Sequence, residues 1–139
     1  MLAIKCQMPN NSLSRKGRIM VVDDDFDIIY VVRRLLEKWG YGVDTFTNPF
    51  YALQKFKENP GRYSLTILDI RMPEMSGIAL AAMMQKVKPD MLVLIMTAFE
   101  ITASELAASL PDIQTEDILR KPFNKTQICT AVKNHLQIA

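Results

Sequence analysis

Asp23, Asp24, Asp69, Thr97 and Lys121 carry functional groups that could act together, and each stands just after a short apolar run in this chain of 139 residues. Val21-Val22 lead into Asp23-Asp24-Asp25, Leu65–Leu68 into Asp69, Met91–Met96 into Thr97, and the run ending at Arg120 into Lys121. Short apolar runs bounded by turn residues read as buried strands. In an open parallel sheet, ligands sit outside the carboxyl ends of the strands, so groups placed there share one site. Carboxylates packed together repel one another unless a cation intervenes. Mg²⁺ accepts oxygen ligands and keeps open positions for water or phosphate. A metal, the Lys121 ammonium and the Thr97 hydroxyl would together position and neutralise a phosphoryl group. Asp69, on the central strand, is then the expected nucleophile, becoming an acyl phosphate.

The elements that must position these residues follow from the patterning. Residues 1–17 lack either apolar period and read as a loosely held tail, leaving 18–139 as one domain. Phe26 to Trp39 has helical spacing, with an acidic start and Gly40 at its end. Val43–Phe46 is a weak strand, and Asn48-Pro49 opens a second helix that Pro60-Gly61 stops. After the Leu65 strand come helices over about 78–87 and 102–110, a strand over 117–120, and a last helix capped by Asn124. Strands alternate with helices five times as continuous apolar runs, which predicts an α/β, doubly wound, five-stranded parallel sheet. Met72, Met75, Met83, Met84 and Met96 read as core filler.

Hydrophobic residues at 49% and charged residues at 23% are those of a globular chain, and the length suits one domain. A net charge of +2 with no basic stripe argues against direct nucleic-acid binding. No apolar run approaches a membrane span or a signal peptide, so a cytoplasmic, non-inserted protein is expected. Cys6 and Cys129 lack metal-spaced partners; Cys129 reads as a small buried hydrophobe, and no disulfide is expected in that compartment. His135 reads as a solvated residue of the last helical turn.

The motifs Val21-Val22-Asp23-Asp24-Asp25, Leu68-Asp69-Ile70-Arg71-Met72-Pro73 with Gly77, Thr97-Ala98 and Lys121-Pro122-Phe123 occur in this order. Together they resemble the receiver domain of two-component response regulators, of the chemotaxis-regulator type, over about residues 18 to 138. The resemblance implies a flavodoxin-like sheet with strand order 2-1-3-4-5. It implies that Asp69 accepts phosphate from a sensor histidine kinase or phosphotransfer protein in a phosphorelay. Asp24, Asp69 and the Arg71 backbone carbonyl would ligate Mg²⁺, with Asp23 acting mostly through a water. Thr97 would turn toward the phosphate, Lys121 would pair with it, and Lys121-Pro122 would be cis. Asp25 is assigned helix capping. Such a domain is a signalling phosphoacceptor with intrinsic self-phosphorylation and dephosphorylation chemistry, and it switches a docking surface for a downstream output protein or domain. It would be a monomer or a phosphorylation-dependent dimer, and would stand alone or belong to a longer regulator.

Two departures stand out. Ile118 occupies a position that is aromatic in many members, and residues 110–115 lack the Gly-Ala turn common before the fifth strand. Rival readings are a haloacid-dehalogenase-type phosphatase with Asp23 as nucleophile, a flavodoxin-like nucleotide or flavin binder, and an interaction module that works without phosphorylation. The first leaves Asp69 without a role, and the second wants a phosphate-cradling loop where three aspartates stand. A module of the third kind would be expected to have lost the acceptor, an acid or the lysine, and all are present.

Overall fold

β1 (Arg18–Val22), β2 (Gly42–Phe46), β3 (Tyr63–Asp69), β4 (Val93–Thr97) and β5 (Ile118–Arg120) form one sheet in the order β2-β1-β3-β4-β5. Every neighbouring pair is parallel. The structure, a computed structural model, describes residues 17–136, so the expectations for the tail and for Cys6 lie outside the described residues. Between the strands run α1 (Phe26–Lys38), α2 (Pro49–Glu58), α3 (Gly77–Val87), α4 (Ala103–Leu106) and α5 (Lys125–Leu136). After β1 the chain moves outward to β2, and it then returns to the other side of β1 for β3. The strand order therefore reverses between β1 and β3, which opens a crevice at their carboxyl ends.

Both sheet faces are covered, which is why the strands read as unbroken apolar runs. Ile19, Val21, Leu65, Ile67, Leu94 and Met96 pack with Ile29, Val32 and Leu36 of α1 and with Ile128 and Val132 of α5. Met20, Val22, Leu68 and Ile95 face Ala52, Leu53 and Phe56 of α2 and Leu80, Ala81 and Met84 of α3. The amino end of the sheet is tied by Asp44, which accepts hydrogen bonds from Arg18 Nε (3.0 Å), Arg62 Nε (3.1 Å) and Tyr63 Oη (2.7 Å). Burial alone would raise the Asp44 carboxyl; these donors outweigh it and hold the group below its ordinary range.

Local signals set the helix ends. The Asp25 carboxylate accepts the Asp27 N–H at 2.9 Å, Asn48 caps α2 with Pro49 behind it, and Asn124 and Gln127 cap α5 reciprocally. Gly40 takes the positive φ of 93° that ends α1, and Trp39 packs there, nearly buried.

Several expectations need correction. The helix expected over 102–110 is only Ala103–Leu106, because beyond it the backbone bonds tighten to three-residue spacing, Ala107 N–H to the Ser104 carbonyl and Ser109 N–H to the Leu106 carbonyl, and the chain leaves in turns. Met83 is exposed on α3 and fills no core, unlike Met72, Met84 and Met96. Cys129 is buried as its helical pattern requires, but it is disulfide-bonded; compartment chemistry says whether a bridge persists, not whether the fold allows one.

Gly77 opens α3 directly beneath the β3 tip. A Cβ there would lie 1.9 Å from the Asp69 carbonyl oxygen, an immobile backbone atom. Gly77→Ala is expected to cost at least about 2 kcal/mol, the scale of an overpacked site that cannot relax. Urea unfolding would measure the loss, and an unchanged midpoint would show that the loop yields.

Candidate functional site

Sheet register brings the predicted residues together. Val22 is aligned with Leu68, so the residues that follow, Asp23 and Asp69, emerge side by side. Thr97 is aligned with Arg120, which places Lys121 one step beyond the neighbouring strand tip. Lys121 Nζ donates to Asp23 Oδ2 at 2.7 Å and to Asp69 Oδ1 at 2.9 Å. One ammonium thus bridges acids from two strands, reaching past β4 to do so. Asp23, Asp24 and Asp69 each present an oxygen within 4.8 Å of the others.

The backbone around this cluster is pinned. Asp23 Oδ1 accepts the Asp25 N–H at 2.9 Å. The Ile70 N–H donates to the Met96 carbonyl at 3.1 Å and the Gly77 N–H to the Ile70 carbonyl at 2.8 Å, fixing the loop after β3. The Lys121 N–H donates to the Thr97 carbonyl at 2.7 Å, and the Lys121-Pro122 peptide is cis. Asp25 caps α1, in the role assigned to it. Thr97 is buried, and its Oγ1 accepts the Phe99 N–H at 3.0 Å.

Three long-range contacts escaped the reading of the sequence. The Arg71 guanidinium carbon lies 4.0 Å from the centre of the Phe99 ring. Glu100 pairs with Arg120 at the end of β5. His135 is not solvated: its side chain is nearly buried, with Nε2 2.6 Å from Asp117 Oδ1 and Nδ1 2.7 Å from the Ala131 carbonyl. Its helical position marked it as terminal, and only the fold brings Asp117 beside it.

Burial sets the electrostatics. Asp23 and Asp69 are almost inaccessible, while Asp24 is exposed. Desolvation raises the Asp23 and Asp69 carboxyls above their ordinary values, and the hydrogen bonds from Lys121 offset only part of that. Burial works against the Lys121 ammonium too, but its two carboxylate partners prevail and raise it. Three carboxylates around one ammonium leave an excess of negative charge. The donor set consists of hard oxygens, so it fits a hard divalent cation and not a thiolate-seeking metal.

The raised acids make a signed prediction for the metal-free chain. The folded state holds the Asp69 proton more tightly than the unfolded state, whose carboxyl titrates near its ordinary 3.8. Wild type should therefore lose stability relative to Asp69→Asn as pH rises from about 4 through the raised folded value, with the difference levelling off above it. Urea unfolding of both proteins across that range, in chelator, is the measurement; a difference flat with pH would remove burial as the cause.

Residues 19–133 match the response regulator receiver domain family. The response regulator receiver protein CpdR of Brucella abortus is 33% identical over 119 residues, covering 86% of this chain and 96% of that protein. The transcriptional regulatory protein ZraR of Klebsiella oxytoca is 37% identical over 112 residues, 79% of this chain but 24% of ZraR. The chain thus spans nearly all of one curated relative and about a quarter of another. Among solved structures, the response regulator protein TrrA of Thermotoga maritima, in complex with Mg²⁺-BeF, is 32% identical, covers 86% of this chain and 98% of its own, and has a TM-score of 0.73. A receiver domain protein from Clostridium thermocellum, 28% identical over 86% of this chain and 94% of its own, has a TM-score of 0.75. With the strand order, the acidic cluster and the bridging lysine already in place, these matches leave one conclusion: the chain belongs to the response regulator receiver domain family.

Proposed function

We propose that Asp69 is the phosphoacceptor of this receiver, with Asp23, Asp24, Asp69 and the Arg71 backbone carbonyl holding a Mg²⁺ ion and Lys121 and Thr97 receiving the phosphoryl group. The observation that carries the reading is the Lys121 ammonium shared between Asp23 and Asp69 at the tips of β1 and β3. When bound, the metal supplies charge neutralisation for the incoming phosphoryl oxygens. A carboxylate oxygen of Asp69 attacks the phosphorus of a phosphohistidine; the P–N bond breaks, and its electron pair stays on the imidazole, which takes up a proton. Lys121 keeps Asp69 oriented before transfer and lies within reach of the added group after it. Thr97 has a hydroxyl proton to donate, since its oxygen acts as the acceptor in the bond with the Phe99 N–H. Hydrolysis of the acyl phosphate returns the carboxylate, so the domain is a switch with its own reset and not a turnover enzyme.

In this reading residues 18–139 act as the receiver, within the cytoplasm, between a sensor histidine kinase or phosphotransfer protein and an output protein or domain. The relatives named as receiver and transcriptional regulatory proteins support a phosphorelay role. Among the described residues no helix is long and apolar enough to cross a membrane. The phosphoryl group shifts an existing equilibrium between surface states.

Intact-mass spectrometry after incubation with Mg²⁺ and acetyl phosphate tests the assignment. One phosphoryl adduct is expected, absent from Asp69→Asn. An adduct that survives in Asp69→Asn and disappears in Asp23→Asn would assign the nucleophile to Asp23, as in a haloacid-dehalogenase-type phosphatase. Lys121→Ala is expected to retain divalent-ion binding, read by thermal shift, while its conformational response to phosphorylation falls.

A further inference from the structure

The loop after β4 is fastened to its surroundings chiefly through side chains. Phe99 donates its N–H to Thr97 Oγ1 at 3.0 Å, and its ring carries the Arg71 guanidinium, centred 4.0 Å away. Glu100 is paired with Arg120. Arg71 follows Asp69 by two residues, so the stack joins the loops that leave the carboxyl ends of the adjacent strands β3 and β4. Ile118, where an aromatic would be expected to follow Thr97, has neither ring nor hydroxyl. The aromatic residue bonded to Thr97 in this chain is Phe99.

We infer that the Arg71 guanidinium senses the phosphoryl group and that Phe99 reports it, an inference that rests on Asp69 being the phosphoacceptor. An exposed aromatic face holds a cation weakly. A phosphoryl group brings about −1.5 to −2 charges and three acceptor oxygens, and a guanidinium hydrogen-bonds such oxygens strongly, often through two donors at once. Arg71 is exposed, on a loop beginning at the acceptor itself, and is free to exchange the weaker partner for the stronger. Thr97 acts on the same residue. Turning its hydroxyl toward the phosphoryl group carries Oγ1 away from the Phe99 N–H. Phe99 is held by two interactions in the resting state and loses both when Asp69 is phosphorylated. Its ring, already 42% exposed, then becomes more exposed still. The departure at Ile118 thus moves the aromatic reporter from β5 to the loop after β4.

The test uses the full chain labelled with 4-fluorophenylalanine, which places a fluorine on each of its six phenylalanine rings. The Phe99 signal is assigned by its loss in Phe99→Leu. With Mg²⁺ and excess acetyl phosphate, the Phe99 resonance is expected to move further than the other five, toward a solvent-exposed shift. In Arg71→Gln it is expected to start near that shifted position and to lose most of its response. Intact mass is recorded on the same samples. An adduct on wild type with an unmoved Phe99 signal would overturn the inference and leave Asp69 as acceptor, whereas no adduct would overturn both. A full-sized Phe99 shift in Arg71→Gln would remove the guanidinium from the switch.

Discussion

One ammonium between two buried carboxylates is the constraint on which this structure turns. Lys121 comes from beyond β5, and Asp23 and Asp69 end strands on the far side of β4, so the bridge exists only if all four strands lie in the observed order and register. Buried ion pairs are poor sources of stability, because desolvating three charges costs at least as much as their attraction returns. At Asp23 and Asp69 desolvation outweighs the lysine, and both carboxyls stay raised. A residue set that is costly to bury and held this tightly marks a place where chemistry outweighs stability.

The rest of the fold supplies what the site withholds. Leu, Ile, Val, Met and Phe side chains fill both faces of the sheet, with Phe56, Leu65, Leu68, Leu80, Leu94 and Ile95 fully buried. Fully burying such a side chain is worth about 1.5–3 kcal/mol, so a few of them offset one unfavourable buried acid. Rigidity at the site comes from backbone closure: the loop after β3 is tied back by Gly77 and Ile70, and the Lys121 backbone is anchored on Thr97. Gly77 illustrates how local sequence serves remote chemistry, since only the absence of a Cβ lets α3 begin against the Asp69 carbonyl.

What the sequence made legible was local or periodic. Buried strands, the caps at Asp25, Asn48 and Asn124, and the stop at Gly40 are each decided within a few residues, and all are found in the structure. The acids, threonine and lysine could be placed at one edge because strand ends share an edge in any doubly wound sheet. Side-chain contacts between residues distant along the chain could not be read. Asp44 gathers Arg18, Arg62 and Tyr63, His135 meets Asp117, and Arg71 lies on Phe99, each pair 18 or more residues apart along the chain. None has a periodicity or spacing that announces it. The helix expected over 102–110 shortened for a related reason, because a capping box at Thr102 and Glu105 signals where a helix begins but not how far it runs.

Charge balance explains why the site needs more than its own lysine. Asp23, Asp24 and Asp69 carry three negative charges and Lys121 one positive, and Lys121 is already committed to two of the three acids. Acyl phosphate formation converts one carboxylate into a group of greater negative charge. A lone ammonium therefore falls further behind as the reaction proceeds, and additional positive charge must come from a bound cation, from a neighbouring cationic side chain, or from both. The acidic trio suits the first, and under the proposed assignment Arg71, two residues beyond Asp69, is placed to supply the second. Its partner is an aromatic face and not a carboxylate, so its positive charge would remain available to a phosphoryl group on Asp69.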